Sequence, residues 1–475
     1  MSEAINVLCM DLGAGSGRGM LASFDGGTLG LREIRRFANG AVSLPTGLYW
    51  DSLGLYKEIL NSIRLAARQS DGLQSIGIDG WSQDFALLDA QGNVLGMPRH
   101  YRDPRTQAVS ELVLGKLSAA ELFRLTGKQH SQVCSLYQLI AMQRFEPGLL
   151  ALGRTLLFMP NLLAYYLTGE RNCDETLASA SLLYELRERR WSSAIMGAFG
   201  LPDSLMPRVS SPGRTIGKLT DAVSRETGTA DLPVVSVAQH DSISAILPFE
   251  TMDNGHGAVI ICGTWSIAAT VVTAPRWNEI GPEDGLCWDP GYGGDHYYAV
   301  RYGTGFWVLQ QCEREWERQG FRADYAELQA KAERSDAGTR IDMDDPRFAE
   351  PGPMLEKIAA YCAETGQAVP AGPAELYACI IRSMAFGFAD SVKRLGRAKE
   401  QPVTSIRIVG GGARSELLCK LTARLSGLPV HAGPYEASSV GNAMAQLMAL
   451  REIGSVREAA ELLSRSWDPV VYAPN

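Results

Sequence analysis

Short apolar runs closed by glycine or small polar residues alternate along the chain with stretches whose apolar residues recur every three or four positions. Val7–Leu8–Cys9 enters the stretch Met10–Asp11–Leu12–Gly13–Ala14–Gly15–Ser16–Gly17–Arg18–Gly19, and Met20–Leu21–Ala22–Ser23–Phe24 leaves it. The second run stops at Asp25–Gly26–Gly27, a hairpin-turn signal, and Leu29, Leu31 and Ile34 among polar residues predict a further strand. The Gly-rich loop is therefore expected to join two antiparallel strands. Other strands are predicted at 75–79, 85–89, 232–237 and 405–409. Helical spacing appears at Leu53, Tyr56, Ile59, Leu60 and Ile63, and again at Leu376, Ile380, Ile381, Met384 and Phe388. The pattern predicts an α/β protein with mixed sheets.

The loop at Gly13–Gly19 fails both familiar phosphate-binding patterns. The dinucleotide fingerprint needs a third glycine where Arg18 stands, and no Lys-Ser or Lys-Thr pair follows as a P-loop requires. Its backbone N–H groups can still cradle an anion, and Asp11 beside a phosphate calls for a cation between them. The choice at this point lies between a Mg-nucleotide loop and an ordinary Gly-rich hairpin. An echo occurs far downstream, where Ala258–Val259–Ile260–Ile261–Cys262 enters Gly263–Thr264 and Ile267–Ala268–Ala269–Thr270–Val271–Val272 leaves. Two such hairpins predict two similar domains, 1–246 and 247–475. The segment 280–296, rich in Gly, Pro and carboxylates, reads as an exposed loop.

At 475 residues the chain is too long for one core. With 45% hydrophobic and 21% charged residues its composition is that of an ordinary globular protein, so function must come from sites. A net charge of −8 without a Lys/Arg block argues against nucleic acid or an anionic membrane as the main partner. No basic leader and no apolar run of about 18 residues is present, which points to a cytoplasmic protein. The 9 cysteines include no C-x-x-C pair and the 6 histidines no H-x-x-x-H pair, so reduced thiols are expected rather than disulfides or a transition-metal site.

Several stretches can carry chemistry. Gln239–His240–Asp241–Ser242 follows a strand and opens a helix, where open α/β sheets place ligands. Asp241 there can accept a proton from a hydroxyl and His240 can hydrogen-bond another; alternatively Asp241 is an N-cap. Gly80–Trp81–Ser82–Gln83–Asp84 lies between two strands, either as an exposed sugar-stacking turn or with its Trp packed inward. Gly410–Gly411–Gly412–Ala413–Arg414–Ser415 joins a strand to a helix, suiting close approach of a base or ribose. A Rossmann reading of it lacks the remaining fingerprint spacing. Tyr101–Arg102–Asp103–Pro104–Arg105–Thr106 reads as a structural ion-pair turn.

Taken in order, these stretches, together with Gly263–Thr264–Trp265–Ser266 and Glu436–Ala437–Ser438–Ser439–Val440–Gly441–Asn442, resemble the ordered motifs of the FGGY carbohydrate kinases. The resemblance runs from residue 5 to about 450. It implies two actin-like (ribonuclease H-like) domains with a central cleft, sugar bound by the first and nucleotide by the second. It also implies ATP and Mg²⁺ as cofactors, a small-molecule sugar partner, and a monomer or homodimer. By the same resemblance, Asp241 is the general base and Asp11 helps hold Mg²⁺. Gly13, Ser16 and Arg18 form the first phosphate loop, Gly263 and Thr264 the second, and Gly411, Gly412 and Ser415 lie at the adenosine. Gly80, Trp81, Gln83, Asp84 and His240 line the sugar pocket.

Within the family the branch acting on L-rhamnulose is the most similar, which implies in-line phosphoryl transfer to a small ketose. That branch leads one to expect Trp-Gly-Val-Asp at Trp81–Ser82–Gln83–Asp84, His-Asp-Thr at His240–Asp241–Ser242, and Asn at Ser415. The first departure adds an amide and a hydroxyl beside the sugar, so L-fuculose, another ketose or a polyol stays open. Two rivals from other classes are a nucleotide-switched actin-like binding protein and a nicotinamide dehydrogenase.

Overall fold

A computed structural model describes residues 4–334, 338–399 and 401–474. The chain forms two compact units: the first is built from 1–251, 272–298 and 437–466, the second from 252–271, 299–436 and 467–475. Segments 272–298 and 437–466, beyond the boundary expected at 246, thus pack with the first unit.

The first unit is organised on a mixed sheet. Its strands, in spatial order, are Arg214–Lys218, Pro233–Ser236, Leu73–Gly80, Ile5–Leu12, Ser16–Phe24 and Leu29–Ala38. The Gly-rich loop joins antiparallel strands as the apolar pattern predicts, with Leu12 opposite Gly17. Asp25 closes the next hairpin by accepting the N–H groups of Gly27 (2.8 Å) and Thr28 (2.7 Å). Strands Ile5–Leu12, Leu73–Gly80 and Pro233–Ser236 run parallel, so their C-terminal ends emerge together.

Helix Ser52–Gln69 covers this sheet, capped by Asp51, whose carboxylate accepts the Gly54 N–H. Its buried stripe is Leu55, Ile59, Leu60, Ile63 and Ala66; Leu53, expected on that stripe, is exposed and Leu55 takes its place. A second helix, Ala437–Ala449, lies against strands Ile5–Leu12 and Leu73–Gly80 and against helix Asp241–Ile246. Gly441 makes that approach possible, because a Cβ there would stand 1.7 Å from the Ser244 carbonyl oxygen.

The second unit repeats the hairpin. Gly257–Cys262 and Trp265–Val272 pair antiparallel, and Ser405–Val409 runs parallel to the first of them. Val430–Ala432 and Val470–Tyr472 extend the sheet. Helix Pro373–Ala398 buries Leu376, Ile380, Ile381, Met384 and Phe388, as their spacing predicts.

One expectation is corrected and one alternative is decided. The segment 280–296 is not simply exposed: Cys287–Pro290 is a fully buried strand whose Asp289 is paired with buried Lys128, a long-range contact that local composition cannot show. The turn Gly80–Asp84 is also largely buried. The Tyr101–Thr106 stretch is an ion-pair turn as expected, with Arg99 and Arg105 both on Glu146 and flanking Asp103. All 9 cysteines are buried and unbridged. Among the described residues no helix is long and apolar enough to cross a membrane.

Replacing Gly441 by Ala should lower the thermal unfolding temperature, at roughly the 1–3 kcal/mol usual for overpacking a close contact. Calorimetry of the intact chain checks this; an unchanged transition would show that the two helices can separate freely.

Candidate active site

Three strand ends converge in the first unit. On adjacent parallel strands Asp11 stands directly opposite Asp79, and a bridge one residue further on joins Gly80 to His240. The Gly80 N–H donates to the Gln239 carbonyl at 2.9 Å. Asp11, Asp79 and His240–Asp241 therefore share one end of the sheet, where open α/β folds bind ligands. Gly80 itself admits no side chain, since a Cβ would lie 2.8 Å from the Leu12 carbonyl oxygen.

Asp11 is buried. Its Oδ2 accepts the Ser438 hydroxyl at 2.6 Å and the Ser439 hydroxyl at 3.4 Å, and Arg18, its cross-strand neighbour, reaches to 3.7 Å. Asp79 is wholly inaccessible. Asn442 Nδ2 donates to its Oδ2 at 2.5 Å, while its buried Oδ1 has no hydrogen-bond partner among the described residues. Burial pushes the Asp79 carboxyl well above the usual range, and the nearby charges of Asp11 and Asp241 push it further; the Asn442 bond opposes them.

Asp241 opens helix Asp241–Ile246, but the N-cap position belongs to His240, whose side chain caps nothing. The capping alternative for Asp241 does not hold. Its Oδ1 accepts the Ser242 N–H (2.6 Å) and hydroxyl (3.1 Å), and the side chain keeps 29% of its surface open, enough for a small ligand to reach. His240 is buried with Nε2 3.7 Å from Asp241 Oδ1, and burial lowers its pKa, with Asp241 and Asp289 opposing. Its backbone N–H is held by Thr176 Oγ1 at 3.0 Å, and its buried Nδ1 has no partner among the described residues.

The Gly80–Asp84 turn takes the inward-packed of its two readings. Trp81 is packed inward against Trp50, ring centres 4.1 Å apart, rather than exposed as a stacking platform. Asp84 is fully buried and both of its oxygens are occupied. The indole N–H groups of Trp50 (2.8 Å) and Trp81 (2.7 Å) share Oδ2, and Gln138 Nε2 (2.8 Å) binds Oδ1. Asp84 thus holds the turn through these three hydrogen bonds. Gln83 is half-buried; its carbonyl accepts from Ser135 Oγ at 2.7 Å, and its side-chain Oε1 has no partner among the described residues.

The remaining sequence candidates fall into place by unit. Gly13 and Ser16 close the first loop through a Gly13 N–H to Ser16 carbonyl bond at 3.1 Å, and Asn39 Nδ2 holds the Gly13 carbonyl at 2.8 Å. In the second unit, Gly263–Thr264 is an exposed turn whose carbonyls accept N–H groups from Phe306 (2.8 Å) and Trp307 (3.1 Å). Gly411 and Gly412 follow the neighbouring parallel strand, and Gly412 packs so tightly on Cys262 that a Cβ would lie 2.5 Å from its Cβ. Ser415 caps helix Glu416–Ser426 by accepting the Leu418 N–H.

Sequence reasoning assigned no role to Asp79, Ser438, Asn442, Gln138 or Thr176. A usable signal existed for three of them: Asp79 ends a predicted strand, and Ser438 and Asn442 belong to the motif Glu436–Asn442.

Residues 7–247 match the N-terminal domain, and residues 258–450 the C-terminal domain, of the FGGY family of carbohydrate kinases. The chain belongs to that family and is a carbohydrate kinase. It is 35% identical over 480 aligned residues to a rhamnulokinase of Bacteroides thetaiotaomicron, covering 99% of this chain and 96% of the relative. Among solved structures, a ligand-bound xylulose kinase from Lactobacillus acidophilus superposes with a TM-score of 0.82 at 15% identity, covering 99% of this chain and 94% of that one. Gluconate kinase from the same organism gives 0.80 at 16% identity, covering 99% and 94%. The α/β fold is that of FGGY sugar kinases, and the dehydrogenase and nucleotide-switch readings fall away.

Asp84 generates a test. Burial raises its carboxyl to about 7, against the three hydrogen bonds that lower it. An unfolded Asp releases its proton near pH ~4, so between there and about pH 7 the folded state binds more protons. The contribution of this group to stability is full below pH ~4 and is lost as the pH rises through about 7. Asp84→Asn should flatten this part of the profile when unfolding temperature is followed from about pH 4 to about pH 8; an unaltered slope would place the titration elsewhere.

Proposed function

We propose that this kinase transfers the γ-phosphoryl group of ATP to a hydroxyl of a small ketose of the L-rhamnulose type, with Asp241 as general base. Kinases of this family use ATP. The observation that carries the reading is the partly open Asp241 carboxylate beside His240, at the strand ends that also carry Asp11. In the step proposed, Asp241 takes the proton of the attacking hydroxyl. The sugar oxygen bonds to the γ-phosphorus, the bond to the β,γ-bridging oxygen breaks, and ADP leaves with its electron pair. Phosphoryl transfer depends mainly on positioning and charge neutralisation, so few covalent partners are needed.

Gly13, Ser16 and Arg18 are proposed as the first phosphate loop, and Gly263 with Thr264 as the second. Gly411, Gly412 and Ser415 are proposed at the adenosine, and Gly80, Trp81, Gln83, Asp84 and His240 as the sugar-binding set, Trp81 and Asp84 acting from beneath. Among the described residues no cluster of three or more His, Cys, Asp or Glu is arranged to hold a metal alone. That suits Mg²⁺, which is bound by one or two carboxylates with waters and substrate phosphates. Asp11, with the orphaned Asp79 Oδ1 in register beside it, fits such an ion. When bound, the cation neutralises charge on the transferring phosphates.

The relative named above supports L-rhamnulose as substrate, whereas Ser82 and Gln83 favour a second reading, another ketose or a polyol. The unpartnered Gln83 Oε1 is an acceptor that a sugar hydroxyl can satisfy. Buried, unbridged cysteines support a reducing, cytoplasmic location.

A coupled ADP-release screen over ketoses, aldoses and polyols identifies the sugar; stimulation by aldoses alone would overturn the ketose assignment. Asp241→Asn should lower kcat by about 10²–10⁴-fold, the usual worth of a positioned base, with nucleotide binding retained. Full turnover in that variant would remove Asp241 from the mechanism. Asp11→Asn should weaken Mn²⁺ binding to the enzyme–ADP complex, read by electron paramagnetic resonance, and raise the Mg²⁺ needed for half-maximal rate.

A further inference from the structure

Lys128 and Asp289 form an ion pair that is closed to solvent, with Asp289 fully buried and Lys128 nearly so. Neither residue carries any role in the reading above. Lys128 follows helix Ala119–Thr126, and Asp289 lies in the short strand Cys287–Pro290. The Ser179 hydroxyl is shared between Asp289 Oδ1 at 3.3 Å and the Thr176 carbonyl at 3.1 Å. Ser179 sits on helix Glu175–Ala180, three residues after Thr176, so the two side chains share one helix face.

Thr176 is the residue that holds the backbone N–H of His240 at 3.0 Å, and its hydroxyl donates to Asp174 Oδ2 at 2.6 Å. The same Asp174 oxygen accepts the Gln239 N–H at 3.2 Å. One helix therefore carries the His240 backbone on its first turn and is tied to the buried ion pair on its second. The pair is not required to join the segments it bridges. The Trp288 backbone N–H donates to the Gly127 carbonyl at 2.9 Å, and Gln129 Nε2 donates to the carbonyls of Pro282 (2.8 Å) and Leu286 (3.2 Å). A buried ion pair commonly does no better for stability than apolar residues of equal volume, although removing one partner alone is strongly destabilising. Stability is therefore a poor reason for this pair, and directional anchoring is a better one.

We propose that the Lys128–Asp289 pair is a positioning element for His240, fixing helix Glu175–Ala180 through Ser179 and so setting the affinity for the sugar. The inference rests on the reading of His240 as a sugar-pocket residue. Neither Lys128 nor Asp289 touches the reacting atoms in this scheme.

The test uses the double variant Lys128→Met/Asp289→Leu, which removes both charges at once. It should unfold at a temperature equal to or above that of the parent, while KM for the sugar rises about tenfold and KM for ATP stays unchanged, the signature of lost binding rather than lost chemistry. Calorimetric titration with sugar in the absence of nucleotide should show the same weakening. Lys128→Arg, which keeps the pair, should hold sugar KM within about twofold. Ser179→Ala cuts the link while leaving the pair in place, and should raise sugar KM by about threefold even if the double variant fails to fold.

In a His240→Ala background the double variant should add nothing. A folded double variant with unchanged sugar affinity, or a loss that simply adds to that of His240→Ala, would overturn the proposal alone. Unchanged sugar affinity in His240→Ala itself would overturn the pocket reading and the positioning link together.

Discussion

Two carboxylates on adjacent parallel strands, Asp11 and Asp79, face each other in register with both side chains buried. Strands in a sheet lie about 4.8 Å apart, and like charges at such a range repel by a few kcal/mol even at an effective dielectric of about 20. The fold meets this constraint by raising the proton affinity of Asp79 and by surrounding both groups with donors. A cation between phosphate and Asp11 would relieve the same repulsion, so the constraint and the proposed chemistry point to one place.

Helix Ala437–Ala449 is the element that this constraint shapes. Ser438 and Ser439 bind Asp11, Asn442 binds Asp79, and Gln446 bonds to Asn442 Oδ1 (2.7 Å), to the Leu8 carbonyl (3.0 Å) and to Ser75 (2.7 Å). These positions recur at three- and four-residue spacing, so they form one polar stripe on an otherwise apolar helix. The stripe fits because Gly77 leaves room: a Cβ there would stand 2.3 Å from Asn442 Oδ1. The same helix is keyed through Gly441 to the helix that Asp241 opens, and the Ser244 hydroxyl donates to the Ser438 carbonyl at 3.2 Å. One helix thereby fixes Asp11, Asp79 and the Asp241 helix against each other.

Local pattern made the strands and hairpins legible. The Asp25 turn, the echo at Cys262–Thr264 and the helix around Ile380 all follow from neighbours a few residues apart. What stayed hidden depends on partners far away in sequence. Cys287–Pro290 looks loop-like by composition, yet Lys128 and Ser179 neutralise and satisfy its buried Asp289. Asp84 follows Trp81 and Gln83 in sequence, but its bonds to Trp50 and Gln138 come from residues far away in the chain. Asp79 was visible as a strand residue and not as a site residue, since only the register with Asp11 gives it that place. Site roles came from the order of motifs rather than from any one of them.

The three hydrogen bonds on Asp84 fix the Trp81–Asp84 turn from within. With Trp81 stacked on Trp50 and both Asp84 oxygens bonded, the ends of the turn are set by the interior and tolerate little change. The Gln83 carbonyl is held as well, by Ser135 and Gln138, so the backbone between those ends is also fixed. Only the Ser82 and Gln83 side chains remain to vary. Substitution there leaves that frame in place, and these are two of the four positions, with Ser242 and Ser415, at which the chain departs from the L-rhamnulose branch. The frame of the turn is therefore fixed independently of the two side chains at its middle.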